Sequence, residues 1–92
     1  MIRSFRCKQT RALFEGTCPR AWGPIRRAAE RKLQLLDSAQ TLAFLRSPPG
    51  NRLEALSSDR RGQYSLRINE QWRLCFTCTD SGADAVEIVD YH

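Results

Sequence analysis

The fold is decided by residues 60–92, which read RRGQYSLRINEQWRLCFTCTDSGADAVEIVDYH. Apolar and polar side chains alternate along the first two-thirds of this stretch, a pattern that is typical of half-buried β-strands. One face of the first strand carries Tyr64, Leu66 and Ile68, and one face of the second carries Trp72, Leu74, Phe76 and Cys78. The stretch therefore predicts three consecutive β-strands that lead to the terminal residues Asp90, Tyr91 and His92.

The loop between the first two strands determines which residues face each other. A two-residue loop would place Leu66 opposite Arg73 and mix apolar with charged side chains. A three-residue loop at 69–71 keeps the apolar side chains on one face, with Ile68 opposite Trp72, Leu66 opposite Leu74 and Tyr64 opposite Phe76.

The longer loop also places Arg67 opposite Arg73 on the other face. Like charges directly opposite each other across a ladder are unfavourable. This pair indicates either a surface that binds a polyanion or two solvated arginines whose side chains splay apart.

The residues before this stretch predict helices followed by one more strand. In order, the predicted elements are a short strand at 1–6, a helix at 8–15, a connection at 17–23, a helix at 24–37, a third helix capped by Ser38, and a strand at 52–56. The third helix ends at Ser47-Pro48-Pro49-Gly50, because two prolines cannot continue a helix. The order predicts one compact α+β domain over residues 1–92, with its helices on one face of an antiparallel sheet.

The charge of the chain is positive and uneven. The net charge is +5, and residues 1–61 hold 13 Lys and Arg against 5 Asp and Glu, whereas residues 62–92 hold 2 against 5. Most of these cations are arginines, whose guanidinium groups bind phosphate in a bidentate manner. The composition indicates a nucleic acid or an acidic protein as partner. The alternative is a merely basic protein without such a partner.

The sequence shows neither a membrane span nor a metal-binding motif. It has no run of about 18 apolar residues, and its first residues lack the apolar stretch of a signal peptide, so we expect a cytoplasmic protein. Cys75-x-x-Cys78 resembles half a zinc site, but residues three apart on a strand point to opposite faces. Cys7 and Cys18 flank a helical segment and do not form a second half-site. We therefore expect reduced, structural thiols and no bound metal.

Three segments of the chain resemble the RelE/HigB superfamily of bacterial toxin–antitoxin toxins, and HigB-type toxins in particular. They are SPPGNRLE at 47–54, QYSLRINEQWRLCF at 63–76 and VEIVDYH at 86–92. The resemblance covers essentially the whole chain. It implies a microbial-RNase-like fold and an mRNA interferase, an endoribonuclease that enters the ribosomal A site and cleaves translated mRNA without a metal or other cofactor.

The resemblance also implies partners. These are a helix-turn-helix, HigA-like antitoxin, the A site of the 30S subunit and mRNA, with operator DNA contacted only through the antitoxin and no membrane contact. Two other functions remain open at this point. The chain is then either an RNA- or ribosome-binding inhibitor of translation that does not cleave, or an attenuated toxin that acts as an antitoxin-bound corepressor.

The site residues that the resemblance carries over are Arg73, Asp90, Tyr91 and His92. Glu54 stands where some members have a histidine on the second strand, and Ser57 stands where some have a lysine in the following loop. These differences leave the identity of the general base open. Glu54 is either the replacement base or the salt-bridge partner of an arginine such as Arg52.

Cleavage of RNA without a metal requires that the 2′-OH loses a proton, the phosphate charge is stabilised and the 5′-oxygen gains a proton. Arg73 suits the phosphate, and His92, the only histidine of the sequence, suits proton transfer. Asp90 would orient His92 or Arg73, or would cap the tail. Tyr91 would stack on a base or donate a phenolic proton. A terminal Asp-Tyr-His also fits a frayed chain end.

The remaining arginines are candidates for contact with RNA phosphates. Such contacts give affinity and salt dependence but little sequence preference. The candidates are Arg67 beside Arg73, Arg60 and Arg61 in the loop before the deciding strands, and Arg26 and Arg27 on the polar face of the long helix. The alternative for this helix face is a solvated surface without a partner.

Overall fold

The alternating stretch forms most of an antiparallel sheet. The computed structural model describes residues 1–46 and 49–90. Within these residues the sheet has four strands in the order β1–β2–β3–β4, and each pair of neighbours is antiparallel. The strands are β1 (Glu54–Ala55), β2 (Gln63–Arg67), β3 (Trp72–Thr79) and β4 (Gly82–Asp90). The strand predicted at 52–56 is therefore shorter than expected.

The register predicted for the β2–β3 hairpin is confirmed. The aligned pairs include Tyr64 with Phe76, Leu66 with Leu74 and Arg67 with Arg73. The loop is stabilised by Asn69, whose Oδ1 accepts hydrogen bonds from the backbone N–H of Gln71 and of Trp72, each at 2.8 Å. Such a turn suits asparagine because its short amide can replace a missing backbone partner.

Helices cover the apolar face of the sheet. In the described part of the chain they are α1 (Lys8–Phe14), α2 (Arg26–Ser38) and α3 (Leu42–Arg46), with short 3₁₀ turns at Arg20–Ile25, Pro49–Asn51 and Ser58–Arg60. The α+β class with helices on one face is confirmed. The shared core includes Leu13, Leu33, Leu66, Leu74, Phe76 and Val86, each no more than 1% exposed.

Two details of the predicted helices are wrong. The long helix begins at Arg26 and not at Pro24, which lies inside the 3₁₀ turn. Ser38 does not cap the third helix: it is the last residue of α2, and its hydroxyl donates to the carbonyl of Leu35 at 3.1 Å. Thr41 takes the capping role, because its Oγ1 accepts from the N–H of Phe44 at 3.1 Å.

The N-terminal residues lie parallel to β4 but form isolated bridges instead of the predicted strand. Ile2 pairs with Ala83 and Phe5 with Val86. Between these bridges β4 has a bulge, with Ala85 at a φ of 53°. Ser4 satisfies the displaced backbone, since its Oγ accepts from the Ala85 N–H at 2.9 Å and its carbonyl accepts from the Val86 N–H at 3.1 Å.

No helix in the ranges that the structure describes has the length and apolar character that a membrane crossing requires.

Candidate active site

The centre of the candidate site is Arg73, which β3 carries on the face of the sheet opposite the apolar core. Its side chain is only 7% exposed. Ser65, the neighbour on β2, accepts hydrogen bonds at its Oγ from Nε at 3.1 Å and from Nη2 at 2.7 Å. The carbonyl of Arg52 accepts from Nη2 at 2.7 Å. The alternative of a solvated, splayed Arg73 is therefore wrong: the guanidinium is enclosed and held in one orientation.

Glu54 completes this arrangement from the edge strand. Its Oε1 lies 2.9 Å from Arg73 Nη2, and its side chain is 55% exposed. The pairing of Glu54 with Ser65 across β1 and β2 brings the carboxylate to this position. The arginine that Glu54 contacts is thus Arg73 and not Arg52, the example considered from the sequence. The two residues predicted as phosphate ligand and replacement base are in direct contact.

A cleft of about 250 Å³ opens beside Glu54. It lies along the row of paired residues Glu54, Ser65, Cys75 and Glu87, which crosses the sheet from β1 to β4. The residues that line it are Glu54, Ala55, Leu56, Ser57, Arg60, Cys75 and Val89. A cleft of this size next to a guanidinium and a carboxylate has room for part of a nucleotide.

Cys75 forms a neutral surface in this cleft. Its residue is 1% exposed. Burial raises the pKa of the Cys75 thiol, with Glu87 adding to the rise and Arg60 and Arg73 opposing it. The thiol therefore stays protonated at neutral pH and is a weak nucleophile there.

Arg60 is positioned by a carboxylate of β4. Its Nη1 lies 3.1 Å from Glu87 Oε2 and donates to Gln63 Oε1 at 3.0 Å. Arg6 also lies near Glu87, at 3.7 Å. Arg60 therefore forms part of the cleft wall, whereas Arg61 is exposed in the turn that precedes β2.

Of the three residues of the predicted tail, Asp90 is the one that lies in the described part of the chain. Asp90 ends β4 opposite Trp72, while Val89 lies opposite Arg73. The Asp90 Oδ2 accepts from Gln71 Nε2 at 3.1 Å. The roles predicted for Tyr91 and His92 concern residues that lie outside the described part of the chain, so they remain predictions.

Arg26 and Arg27 are not brought to Arg73. They lie at the start of α2, a helix that packs on the apolar side of the sheet. Arg26 pairs with Glu30 at 3.2 Å, and Arg27 is exposed. Any RNA that contacts these two residues and Arg73 together has to pass around the edge of the sheet.

The four cysteines are free, with no disulfide among the described residues. Cys75 lines the cleft, whereas Cys78 lines a different cavity of about 290 Å³ beside Met1 and Leu36. Their separation follows from the strand geometry. Among the described side chains, no group of three or more His, Cys, Asp and Glu lies close enough together to hold a metal ion.

Sequence reasoning missed Ser65 and the Arg52 carbonyl as ligands of Arg73. The signal for Ser65 was present, because the predicted register already placed it beside Arg73 on the polar face. The Arg52 carbonyl had no such signal. It depends on a left-handed backbone at Arg52, with a φ of 44°, which is uncommon for a residue with a side chain.

The fold and the comparison with known families define the class of this protein. Its compact α+β domain is consistent with the RelE-like toxins of type II toxin–antitoxin systems. Residues 4–92 match the model of the family described as the HigB-like toxin, RelE-like toxin of type II toxin–antitoxin system HigB. The chain belongs to this family.

Two relatives show how the similarity is distributed. Toxin HigB-1 of Vibrio cholerae is 48% identical over 59 residues, which cover 64% of this chain and 62% of that protein. Endoribonuclease HigB of Proteus vulgaris is 31% identical over 94 aligned positions, which cover 100% of both chains. The match to the Vibrio toxin thus spans about three-fifths of that protein's length.

Proposed function

We propose that this toxin is an endoribonuclease that cleaves translated mRNA in the ribosomal A site without a metal ion. The observation that carries the proposal is the contact between Glu54 and Arg73, at 2.9 Å beside a cleft. The guanidinium of Arg73 suits a phosphate and the carboxylate of Glu54 suits a proton. Phosphate binding and proton transfer must both occur at the same phosphodiester. The name of the Proteus relative, Endoribonuclease HigB, supports the same chemistry.

Arg73 would bind the scissile phosphate and stabilise the charge that builds up on its oxygens. Its guanidinium is already oriented by Ser65 and the Arg52 carbonyl. Such an oriented cation requires little reorganisation when the reaction occurs, which is the main source of electrostatic catalysis.

Glu54 would act as the general base. Because its side chain is about half exposed while Arg73 is enclosed, the carboxylate is the mobile partner of the pair. An arriving phosphate oxygen would take over Nη2 and release Glu54 next to the 2′-OH. The carboxylate then accepts the proton of the 2′-OH, whose oxygen attacks phosphorus.

The remaining step is protonation of the leaving 5′-oxygen. We assign it to His92, with Asp90 and Tyr91 positioning the tail and the nucleotide. Arg60, Arg61, Arg67, Arg26 and Arg27 would contact RNA phosphates. We further propose that residues 1–92 act as one domain in the cytoplasm, where a helix-turn-helix, HigA-like antitoxin binds the toxin and connects it to operator DNA.

The test is expression of the chain without its antitoxin, with growth and the 5′ ends of mRNA followed together. We expect growth arrest and new 5′ ends within translated frames. Arg73→Ala removes the phosphate ligand and should abolish both, whereas the control Arg20→Ala, at an exposed arginine of the 3₁₀ turn, should retain both. If Arg73→Ala cleaves as well as the wild type, the mechanism is wrong.

A second function is favoured by the enclosure of Arg73 itself. When Glu54 is paired with the guanidinium of Arg73, as in this structure, RNA would bind at the surface without being cut. Growth arrest without new 5′ ends would identify such a binding inhibitor. The absence of arrest with abundant free toxin would identify an attenuated toxin that acts as a corepressor.

A further inference from the structure

Three cations lie near Arg73, and the proposed function uses only one of them, Arg67. Lys32 and Arg31 come from α2, and Arg67 comes from the end of β2. None of the three forms an ion pair with any residue in the described ranges. By contrast, Arg26, Arg60 and Arg73 each have a carboxylate partner.

Lys32 is held in place by a buried side chain. Its Nζ donates to Oδ1 of Asn51, a residue that is 1% exposed. The amide of Asn51 in turn donates to the carbonyl of Leu45 at 3.0 Å. A lysine at a solvated surface has no such support, so the ammonium position is a feature of the fold.

The three charges are close enough to act on each other. Burial lowers the pKa of Lys32, and the charges of Arg31 and Arg67 lower it further. No carboxylate of the described residues is among the groups that shift this pKa. Like charges that are kept together without a counter-charge form a natural site for an anion.

Two connections link this cluster to Arg73. The residues Asn51 and Arg52 are consecutive: the first accepts from Lys32 and the second accepts from Arg73 at its carbonyl. In addition, Arg67 is the direct cross-strand partner of Arg73. The cluster and the guanidinium are therefore neighbours in the fold.

We propose that Lys32, Arg31 and Arg67 form a second phosphate site, which binds a backbone phosphate of an RNA strand beside the one on Arg73. The proposal rests on the proposed function only for the identity of the first phosphate. The site would fix the position of the strand and contribute affinity, and it would not take part in the bond-breaking step.

Binding of a fully 2′-O-methylated oligoribonucleotide tests this site, because that probe lacks the attacking hydroxyl and cannot be cleaved. Affinity is measured against salt concentration by fluorescence anisotropy for the wild-type chain and for Lys32→Gln combined with Arg67→Gln. Loss of this one phosphate contact should reduce the salt slope by about 0.7 and the affinity at 0.1 M salt about fivefold.

The matched control removes one lysine and one arginine elsewhere, with Lys8→Gln combined with Arg20→Gln, both at exposed positions. We expect the salt slope to decrease in this control by less than half of the decrease caused by Lys32→Gln combined with Arg67→Gln. Lys32→Arg, which keeps the charge, should retain wild-type affinity. If Lys32→Gln does not fold, as judged by circular dichroism, Arg67→Gln alone should still reduce the slope, by at most about 0.7.

A second arm separates the two sources of phosphate by using 30S subunits without mRNA. If the cluster variant loses affinity for the oligonucleotide, the site binds the mRNA strand. If it loses affinity only for the 30S subunit, the site binds ribosomal RNA. Both results support the site. Equal behaviour of the cluster and control variants in both arms would overturn it. Because the probe cannot be cut, a wild-type chain without nuclease activity would refute the proposed function and leave this result unaffected.

Discussion

Arg73 carries the enclosed positive charge of the candidate site. Its charge is enclosed, so it needs partners for its N–H groups, and Ser65, the Arg52 carbonyl and Glu54 supply them. The partners differ in kind: Ser65 is buried and Arg52 contributes a backbone carbonyl, whereas Glu54 contributes a charged side chain that is 55% exposed.

Glu54→Gln tests the base at the residue scale. The amide can still accept a hydrogen bond from Arg73, but it cannot take the proton of the 2′-OH. We expect single-turnover cleavage to fall by about 10²–10⁴-fold, the usual contribution of a general base. RNA affinity should be unchanged or higher, because the competing carboxylate charge is lost.

Glu70→Gln is the control for this change, because it removes a carboxylate at an exposed position in the β2–β3 loop. It should cleave like the wild type. A Glu54→Gln chain that retains full activity would assign the base role to another group.

At the residue scale the sequence indicated candidate side chains but not how they are held. Both Glu54 and Arg73 were candidates, yet their mutual contact was not expected. Contact across β1 and β2 depends on a strand of only two residues, Glu54–Ala55, which leaves almost no periodic pattern.

At the scale of elements, the β2–β3 hairpin was predictable because two independent constraints agree. A register slip by one residue would move its apolar side chains to the wrong face, and Asn69 suits the turn. The N-terminal strand was not predictable in detail. Its bridges depend on the bulge at Ala85, and a bulge has no clear signature in a single sequence.

Gly82→Ala tests how the N-terminal segment joins the sheet. Gly82 has a φ of 135°, and a Cβ placed there would lie 2.1 Å from the carbonyl oxygen of Met1. That carbonyl accepts a hydrogen bond from the Ala83 N–H at 2.8 Å. The substitution should therefore displace the first residues and lower the free energy of unfolding by about 1–3 kcal/mol.

Urea unfolding measures this loss, and hydrogen exchange at the Ala83 amide should accelerate in the folded variant. Gly50→Ala is the control, because nothing lies within 4 Å of its added Cβ. Equal stability of Gly82→Ala and the wild type would show that residues 1–3 do not contribute to the sheet.

At the scale of the whole molecule, charge is divided between the two parts of the chain. Residues 1–61 carry most of the cations, and the acidic residues of β4 neutralise a few of them, as Glu87 does for Arg60. The excess remains near α2 and the edge of the sheet. The sequence predicted this excess, but it could not predict that Arg67 of β2 lies near enough to Lys32 of α2 to lower its pKa, because no periodic pattern relates a position on a helix to a position on a strand.

The pH dependence of stability follows from two groups that act in opposite directions. The pKa of Cys75 is raised above 9.0, so the folded chain holds this proton longer than the unfolded chain. Its contribution to stability is complete below pH 9.0 and is lost as the pH rises through the folded pKa. The pKa of Lys32 is lowered below 10.5, so its contribution increases as the pH rises through the folded pKa toward 10.5.

Urea unfolding between pH 7 and pH 10, in a reducing buffer, separates these effects at about one-unit steps. Relative to the wild type, Cys75→Ala should become progressively more stable above pH 9.0, because it has no such contribution to lose. Lys32→Gln should become progressively less stable relative to the wild type as the pH approaches 10.5, because it gains nothing on deprotonation. Cys78→Ala, at an exposed position, should follow the wild-type profile. Parallel profiles for all four chains would mean that neither buried group is coupled to folding.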